Sequence, residues 1–394
     1  MLLNKTISYV AAGCLILLTC VSASAQGTLE GVQLFAPAEV SSYGKGPQPN
    51  EGFFFSYDAL YWTFSPPRVT TIGKEGLTRL AYRQIPAGDN PATYQIVQHN
   101  TLDTGSLTSE FDLGNRIEFG QIENNRGWMV SMFQFTEFAQ DIAAHNVDVT
   151  FETPNYSGNI NALSGEIGGL ASPLSLIGPL PVTFTNLLAR QVNSAWGIEA
   201  DYIGRSEQLH NGGFFEWYVG PRYIEFDDGF QVNAHGGTLD ASQWTTNAQN
   251  HIIAGQLGAR WFKKLGRWML STDARGLAGL NCQNVHQFGF IGSNIQTDTA
   301  GEPVSFGASD VNHDEFMHVF TPGLELRLEG RYQITRSVSI RAGWNALWLN
   351  NIARGSDMIN YTLDPEHTIL GIIRDKNKDN VLMNGLQIGI DINR

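Results

Sequence analysis

Several features that are common in soluble proteins are scarce in this sequence. Only 16% of the 394 residues are charged, where about 25% is usual for a soluble domain. Of the three cysteines, Cys14 and Cys20 fall within the first 20 residues. Removal of the N-terminus would leave Cys282 alone, which excludes an intrachain disulfide framework in the remaining chain.

Lysine is also rare. The basic residues comprise 18 Arg and 7 Lys, and the formal net charge is -13. This balance excludes a protein that works by neutralising nucleic-acid phosphates, because such binding needs clustered basic residues. The excess of arginine favours fixed, bidentate ion pairs over solvated surface charge.

After its first 25 residues the chain has no uninterrupted apolar run of 18 residues, which excludes membrane-spanning helices. The first 25 residues are typical of a signal peptide, in which Lys5 precedes an apolar stretch and Ala23-Ser24-Ala25 forms a cleavage site before Gln26. A lipoprotein signal ending at Cys20 is the alternative. Residues 26–52 are rich in Pro, Gly and Ser and are predicted to be a linker.

From residue 53 onward the dominant period is two, which is typical of β-strands with one apolar face. Leu324, Leu326 and Leu328, for example, alternate with charged residues. No stretch shows helical periodicity. Ten strands are predicted: Phe53–Phe64, Phe111–Gln121, Trp128–Phe138, Trp196–Arg205, Phe214–Asp227, Asn250–Phe262, Arg267–Leu280, Phe320–Tyr332, Ser337–Leu349 and Val381–Asn393.

Long and short connections alternate between these strands. This predicts an all-β, up-and-down antiparallel transmembrane barrel over residues 53–394, with long extracellular loops and short periplasmic turns. The strands reach the ~9–11 residues needed to cross a bilayer. Residues 139–192 either add a hairpin, which would make twelve strands, or extend two strands beyond the membrane.

Tryptophan positions predict two aromatic girdles at the membrane surfaces. The periplasmic girdle would contain Trp128, Trp261 and Trp268. The extracellular girdle would contain Trp62, Trp196 and Trp348.

Strand parity predicts that charged residues of both signs face the lumen, with no lysine among them. A barrel of eight to ten strands has an interior that side chains can fill, so we expect ion pairs to fill it. The predicted lumen charge network contains Asp112, Arg116, Glu118, Glu199, Asp201, Arg205, Glu216, Arg222, Arg260, Asp273, Arg275, Glu325, Arg327, Glu329, Arg331 and Arg341, with Asp58 and Asp391 on the same face.

Other chemical motifs are weak. Asp375, Asn377 and Asp379 have the spacing that opens a calcium loop, but Asn380 and Leu386 replace the Gly and Glu expected later in it. Eight of the nine histidines lie on the long-loop side, with no acid and nucleophile constellation beside them. We therefore predict no catalytic residues, no metal and no cofactor.

Several strands resemble a known family. Arg341-Ala342-Gly343-Trp344 and the segment 351–357 (Asn-Ile-Ala-Arg-Gly-Ser-Asp) resemble the C-terminal hairpin of the planctomycete outer-membrane β-barrel family, formerly a domain of unknown function. Ala195–Glu199, Val219–Tyr223 and Gly258–Phe262 resemble its other strands. The resemblance covers roughly residues 50–394 and implies an outer-membrane location and a barrel. It implies no activity.

The sequence thus predicts an integral protein of the bacterial outer membrane, either a structural surface protein or a narrow porin-like channel. Its expected partners are outer-membrane lipid, the barrel-assembly machinery and small solutes, without nucleic acid. The C-terminal residues Ile392-Asn393-Arg394 lack the aromatic end that assembly machinery commonly reads. The alternatives are a secreted soluble all-β binding protein and, less favoured, a barrel-mouth hydrolase.

Overall fold

The computed structural model describes residues 50–74, 81–85, 93–97, 102–153, 178–209, 213–237, 239–292, 296–297, 303–304, 309–364 and 368–393. The expected signal peptide and nearly all of the expected linker lie outside the described residues.

Ten antiparallel strands close into a barrel, each paired with its neighbours in the chain and the first paired with the last. Its strands are β1 (Gly52–Phe64), β2 (Phe111–Glu123), β3 (Arg126–Thr153), β4 (Gly178–Arg205), β5 (Gly213–His235), β6 (Ser242–Leu265), β7 (Trp268–Ile291), β8 (Ser309–Gln333), β9 (Val338–Ile352) and β10 (Asp379–Asn393). Short two-stranded hairpins occur in the long loops, such as Ala81–Ile85 with Thr93–Val97. In the part of the chain that the structure describes, no helix is long and apolar enough to cross a membrane.

All ten predicted strands are confirmed, and the twelve-strand alternative is wrong. Residues 139–153 and 178–192 do not form a separate hairpin but prolong β3 and β4. The two strands pair from Arg126↔Gly204 to Thr153↔Gly178, with one irregularity between Phe135 and Phe138. Their alternating apolar residues therefore continue the inner face of the same sheet.

The wall of the barrel has two heights. Strands β1, β2, β9 and β10 contain 13 to 15 residues, whereas β3 to β8 contain 23 to 28. We call these the short wall and the tall wall. The outward side chains of the upper tall wall are polar, for instance Asn233, Gln249 and Asp314. Because a bilayer needs only ~9–11 residues per strand, the upper tall wall projects into water.

Below that level, apolar side chains cover the outer surface. Leu257 is 65% exposed and Ile388 is 61% exposed, which is unusual for aliphatic residues and fits contact with lipid. Aromatic contacts between neighbouring residues and strands border this band. The lower contacts are Phe119–Trp128, Tyr202–Trp217 and Trp268–Tyr332, and the upper ones are Tyr61–Phe111, Trp196–Tyr223 and Phe316–His318.

One tryptophan departs from the predicted girdles. Trp62 is fully buried inside the barrel, where it packs against Phe133 and Phe135. It shares strand parity with Asp58, so both point into the lumen. The girdle assignment of Trp62 was wrong, whereas Trp128, Trp196, Trp268 and Trp348 face outward.

Candidate functional site

Three stacked groups of residues fill most of the lumen. The lowest is the predicted lumen charge network, which shares the periplasmic end with a small apolar cluster of Phe54, Ile122, Met129, Ile203 and Tyr218. Above it lies a cluster of aliphatic and aromatic side chains that we call the apolar layer. Its members are Leu60, Trp62, Phe64, Phe133, Phe135, Ala195, Ile224, Phe226, Ile252, Ala254, Leu277, Leu347, Leu349, Ile352, Val381 and Met383. The third group comprises the described residues of the connection between β9 and β10, 353–364 and 368–378, which we call the plug.

Glu325 on β8 lies at the centre of the charge network and is completely buried. Its carboxylate lies 2.5 Å from Arg222 Nη1, 2.7 Å from Arg327 Nε and 3.6 Å from Arg116 Nη2. Asn345 Nδ2 also donates to it, over 3.2 Å. Three guanidinium groups from three different strands thus share one carboxylate.

Other ion pairs cross the lumen between distant strands. Glu118 on β2 lies 3.4 Å from Arg327 on β8 and 3.8 Å from Arg260 on β6. Arg327 also lies 3.7 Å from Glu199 on β4. In each pair the two strands are four places apart around the ten-strand ring, so the pairs span the interior.

A second part of the network is built around Asp273 on β7. Both Arg260 and Arg275 lie 3.0 Å from its Oδ2, and the hydroxyl of Tyr218 donates to its Oδ1. Arg275 also forms an ion pair with Glu199, and its guanidinium lies 4.7 Å from the centre of the Tyr218 ring. Tyr218 was not among the predicted site residues, although its parity places it on the inner face.

Three more ion pairs lie near the ends of the network. Arg205 Nε donates to Glu216 over 2.9 Å. Arg341 pairs with Asp58, and its Nη1 lies 3.2 Å from Asp391.

Glutamine side chains join the separate parts. Gln387 accepts from Arg116 over 3.1 Å and donates to Glu329 over 2.6 Å. Gln256 donates to Asp201 over 2.8 Å and to Glu199 over 3.1 Å. The sequence reasoning considered only charged residues and missed both glutamines.

Asp112 is the one predicted network residue that lies apart. It is half-buried, and its Oδ1 accepts from the backbone N–H of Leu113 over 2.7 Å. The residue opposite it on β1 is Trp62, in the apolar layer. Parity placed Asp112 on the correct face, but it stands above the level of the arginines.

Glycines on the inner face give these large side chains their room. A Cβ at Gly258 would collide with the ring of Tyr218, and one at Gly389 would collide with the carboxylate of Asp58. A closely packed lumen thus accounts for part of the chain's 42 glycines.

The plug enters the interior of the tall wall and is bonded to it. Arg354 is completely buried, and its Nη1 lies 3.0 Å from Asp228 Oδ2 on β5. Asp228 Oδ1 accepts from the N–H of Gly355 over 2.7 Å. On β6, the side chain of Asn250 both donates to the carbonyl of Ala353 and accepts from its N–H, over 3.0 Å and 2.8 Å.

Apolar packing supports the upper part of the plug. Ile359, Tyr361 and Leu370 are buried against the inner face of the tall wall, including Phe151 and Trp244. The segment 351–357, which carries part of the family resemblance, thus contains Ala353, Arg354 and Gly355, which bond the plug to the wall.

The structure does not bring the weak calcium motif together. Asp375 is exposed, Asn377 donates to Gln283 over 2.7 Å, and Asp379 lies 3.8 Å from Arg354. Among the residues with described positions, no group of three or more His, Cys, Asp or Glu is placed to hold a metal ion.

Asp357 gives the plug a pH dependence. Burial raises the pKa of Asp357 to about 6, and the carboxylates of Asp379 and Asp228 act in the same direction. Thr70, which donates to Asp357 over 2.7 Å, and Arg68 oppose that shift. Because the folded pKa exceeds the ordinary value of 3.8, the protonated carboxyl stabilises the fold at low pH, and this contribution is lost as the pH rises through 6.

We therefore expect Asp357→Asn to reduce the difference in thermal stability between pH 5 and pH 7.5. The measurement is the temperature at which the folded, fast-migrating band is lost on a gel, for both proteins at both pH values. An unchanged difference would show that other groups set the pH dependence.

The solved structures that match this chain include outer-membrane proteins. The outer-membrane protease OmpT of Escherichia coli is 7% identical, with a TM-score of 0.34, and the match covers 89% of this chain and 99% of that one. The toluene transporter TbuX of Ralstonia pickettii is 8% identical, with a TM-score of 0.19, covering 91% and 92%. At these scores the likeness extends to no site or activity. No curated protein sequence matches the chain.

The sequence profile of the family described as Putative beta barrel porin-7 (BBP7) matches residues 84–393. That match begins in the β1–β2 connection and ends with the last residue of β10, so it includes nine of the ten strands. The lipid-facing band, the aromatic girdles and the closed sheet are those of an integral outer-membrane barrel. The chain belongs to the Putative beta barrel porin-7 family.

Proposed function

We propose that this protein is a closed structural barrel of the outer membrane, and not an open solute channel. The observation that carries the proposal is the set of ion pairs that cross the lumen, from Glu118 to Arg260 and Arg327 and from Arg327 to Glu199. A solute that follows the barrel axis would have to break these pairs and leave buried charges without partners.

Two further obstacles lie along the same axis. In the apolar layer, the rings of Phe64 on β1 and Phe226 on β5 lie 6.3 Å apart across the interior. Above them, Arg354 joins the plug to β5 while its Nη2 donates to the carbonyl of Ser65, next to the end of β1. The role that fits this arrangement is mechanical, in which a rigid barrel holds the tall wall and its loops at the cell surface.

Conductance tests the proposal directly. We expect the purified protein in planar bilayers to show no steady conductance. The variant Glu118→Ser/Arg327→Ser shortens two side chains that cross the lumen but leaves the apolar layer and the plug in place, so it is also expected to show no steady conductance. Steady conductance by the unmodified protein would contradict the proposal and favour the narrow porin-like channel.

The proposal includes the absence of catalysis. Among the described residues, the hydrogen bonds of the tall-wall histidines lead to Asn186, to Asp314, to the hydroxyl of Tyr223 and to the carbonyl of Ile369. None of these bonds reaches a serine, threonine or cysteine that could act as a nucleophile. Hydrolysis of peptide or lipid substrates that disappears in His286→Ala would contradict this part of the proposal.

We also propose export through the signal at residues 1–25, followed by insertion by the barrel-assembly machinery. The support is the A-x-A site before Gln26 and the lipid-facing outer surface of the barrel. Intact-mass measurement of protein from the outer membrane is expected to show a chain that begins at Gln26. A chain that begins at a lipid-modified Cys20 would establish the lipoprotein alternative.

A further inference from the structure

A pocket opens at the periplasmic mouth of the barrel, between the β6–β7 turn and the β8–β9 turn. Among the described residues that line it, four side chains are cationic, namely Lys264, Arg267, Arg331 and Arg336, and one, Asp391, is acidic. The whole chain has a net charge of -13, so the excess of cationic side chains in this pocket is opposite in sign to the charge of the chain. The pocket thus has the charge of an anion-binding site.

The acidic side chain of the pocket, Asp391, is already paired with two arginines of the barrel. Asp391 lies 3.4 Å from Arg331 Nε and 3.2 Å from Arg341 Nη1. Arg331 is itself buried and is held in place by Asn50, which accepts from its Nη1 over 3.2 Å, and by Glu329 at 3.3 Å. The back of the pocket is therefore a fixed guanidinium, while Arg267 and Arg336 stand on exposed turns at its entrance.

The entrance lies at the level of the lipid headgroups. Trp268, which follows Arg267, is 56% exposed, and its ring lies 4.9 Å from that of Tyr332. This pair belongs to the lower girdle, where indole and phenol rings mark the membrane–water boundary. Arg267 thus stands beside the phosphates of the inner leaflet, and Ser337 and Ser339 in the same pocket add hydroxyl donors.

We propose that this pocket binds the phosphate group of an anionic phospholipid from the inner leaflet of the outer membrane, with Arg267 and Arg336 as its entrance contacts. Guanidinium groups suit this role because their fork of N–H donors matches phosphate oxygens. The bound lipid would tie the β6–β7 and β8–β9 turns together at the periplasmic rim. This inference does not depend on whether the lumen conducts.

Lipid retention tests the proposal. The full-length protein is mixed with micelles containing phosphatidylglycerol and phosphatidylcholine, and the lipids that remain bound are identified by native mass spectrometry. The unmodified protein is expected to retain phosphatidylglycerol in preference to phosphatidylcholine. Arg267→Gln/Arg336→Gln is expected to weaken this retention about tenfold or more, since two charge-assisted contacts are lost.

The matched control is Arg126→Gln, which removes one exposed charge from the β2–β3 turn on the same rim but outside the pocket. It is expected to retain the lipid normally. If the double variant does not fold, Arg267→Gln alone replaces it, because Arg267 lies on an exposed turn. A smaller loss of phosphatidylglycerol retention is then expected. Equal retention of the two lipids, or equal loss in the control, would overturn the proposal. Complete displacement of the lipid by an equal concentration of inorganic phosphate would show that the ligand is a free anion and would overturn the lipid assignment.

Discussion

Replacement of Glu325 with alanine is expected to destabilise the barrel by about 3–5 kcal/mol, the usual cost of breaking a buried ion pair by removing one partner. Glu325 is the shared partner of Arg116, Arg222 and Arg327, all of them buried, so its loss leaves three guanidinium groups with less compensation. The measurement is the temperature at which the folded form is lost on a heat-modifiability gel. A fall on the order of 10 °C is expected from this free energy.

Asp112→Ala is the matched control. Asp112 is an acid on the same inner face, but its carboxylate accepts only from the neighbouring backbone N–H of Leu113 among the bonds that the structure describes. We expect its removal to change stability by about 0.5 kcal/mol or less, as for most substitutions away from buried networks. If both substitutions lowered this temperature equally, the charge network would contribute no more to stability than any other polar side chain on the inner face.

Arg354→Ala is expected to release the plug locally without unfolding the barrel. The substitution leaves the buried carboxylate of Asp228 with the N–H of Gly355 but without its guanidinium partner. A local cost of about 3 kcal/mol corresponds to amide hydrogen exchange roughly a hundredfold faster. The measurement is exchange at Ala353 and Gly355, whose N–H groups bond to Asn250 and Asp228.

Arg374→Ala provides the comparison within the same connection. Arg374 pairs with Glu315, but its side chain is 66% exposed, and exposed ion pairs contribute little to stability. Exchange at Ala353 and Gly355 is expected to remain unchanged in this variant. If both variants accelerated exchange equally, the plug would be held by its overall packing and not by the Arg354–Asp228 pair.

The sequence was sufficient to predict the strands and the direction of most side chains. A period of two is enforced along each strand by lipid on one face, so polar residues such as Glu325 and Arg327 had to point inward. Trp62 obeys the same parity rule, although it is apolar. Its parity with Asp58 places it in the lumen, and only its nearness to a long loop suggested a girdle position.

Parity does not give the height of a residue in the barrel. Asp112 shares a face with Arg116, yet it lies opposite Trp62 because the register of β1 and β2 places it in the apolar layer. The plug was beyond prediction for a related reason. Besides the Arg354–Asp228 pair, its contacts come from neutral side chains such as Asn250 and Gln283, whose partners are backbone atoms about a hundred residues away in the chain.

The two wall heights give the barrel a front and a back. The strands of the tall wall exceed those of the short wall by roughly 10 residues, which at ~3.3 Å per residue and a tilt near 40° is a step of about 25 Å. The sheet therefore ends lower on the side of β1 and β10 than on the side of β5 and β6, and the connection that follows β1 rises past the end of that strand to reach Thr150 on β3. The upper edge of the sheet is therefore oblique. When the barrel rotates about its axis in the membrane, a neighbouring protein faces the tall wall at one moment and the short wall at another.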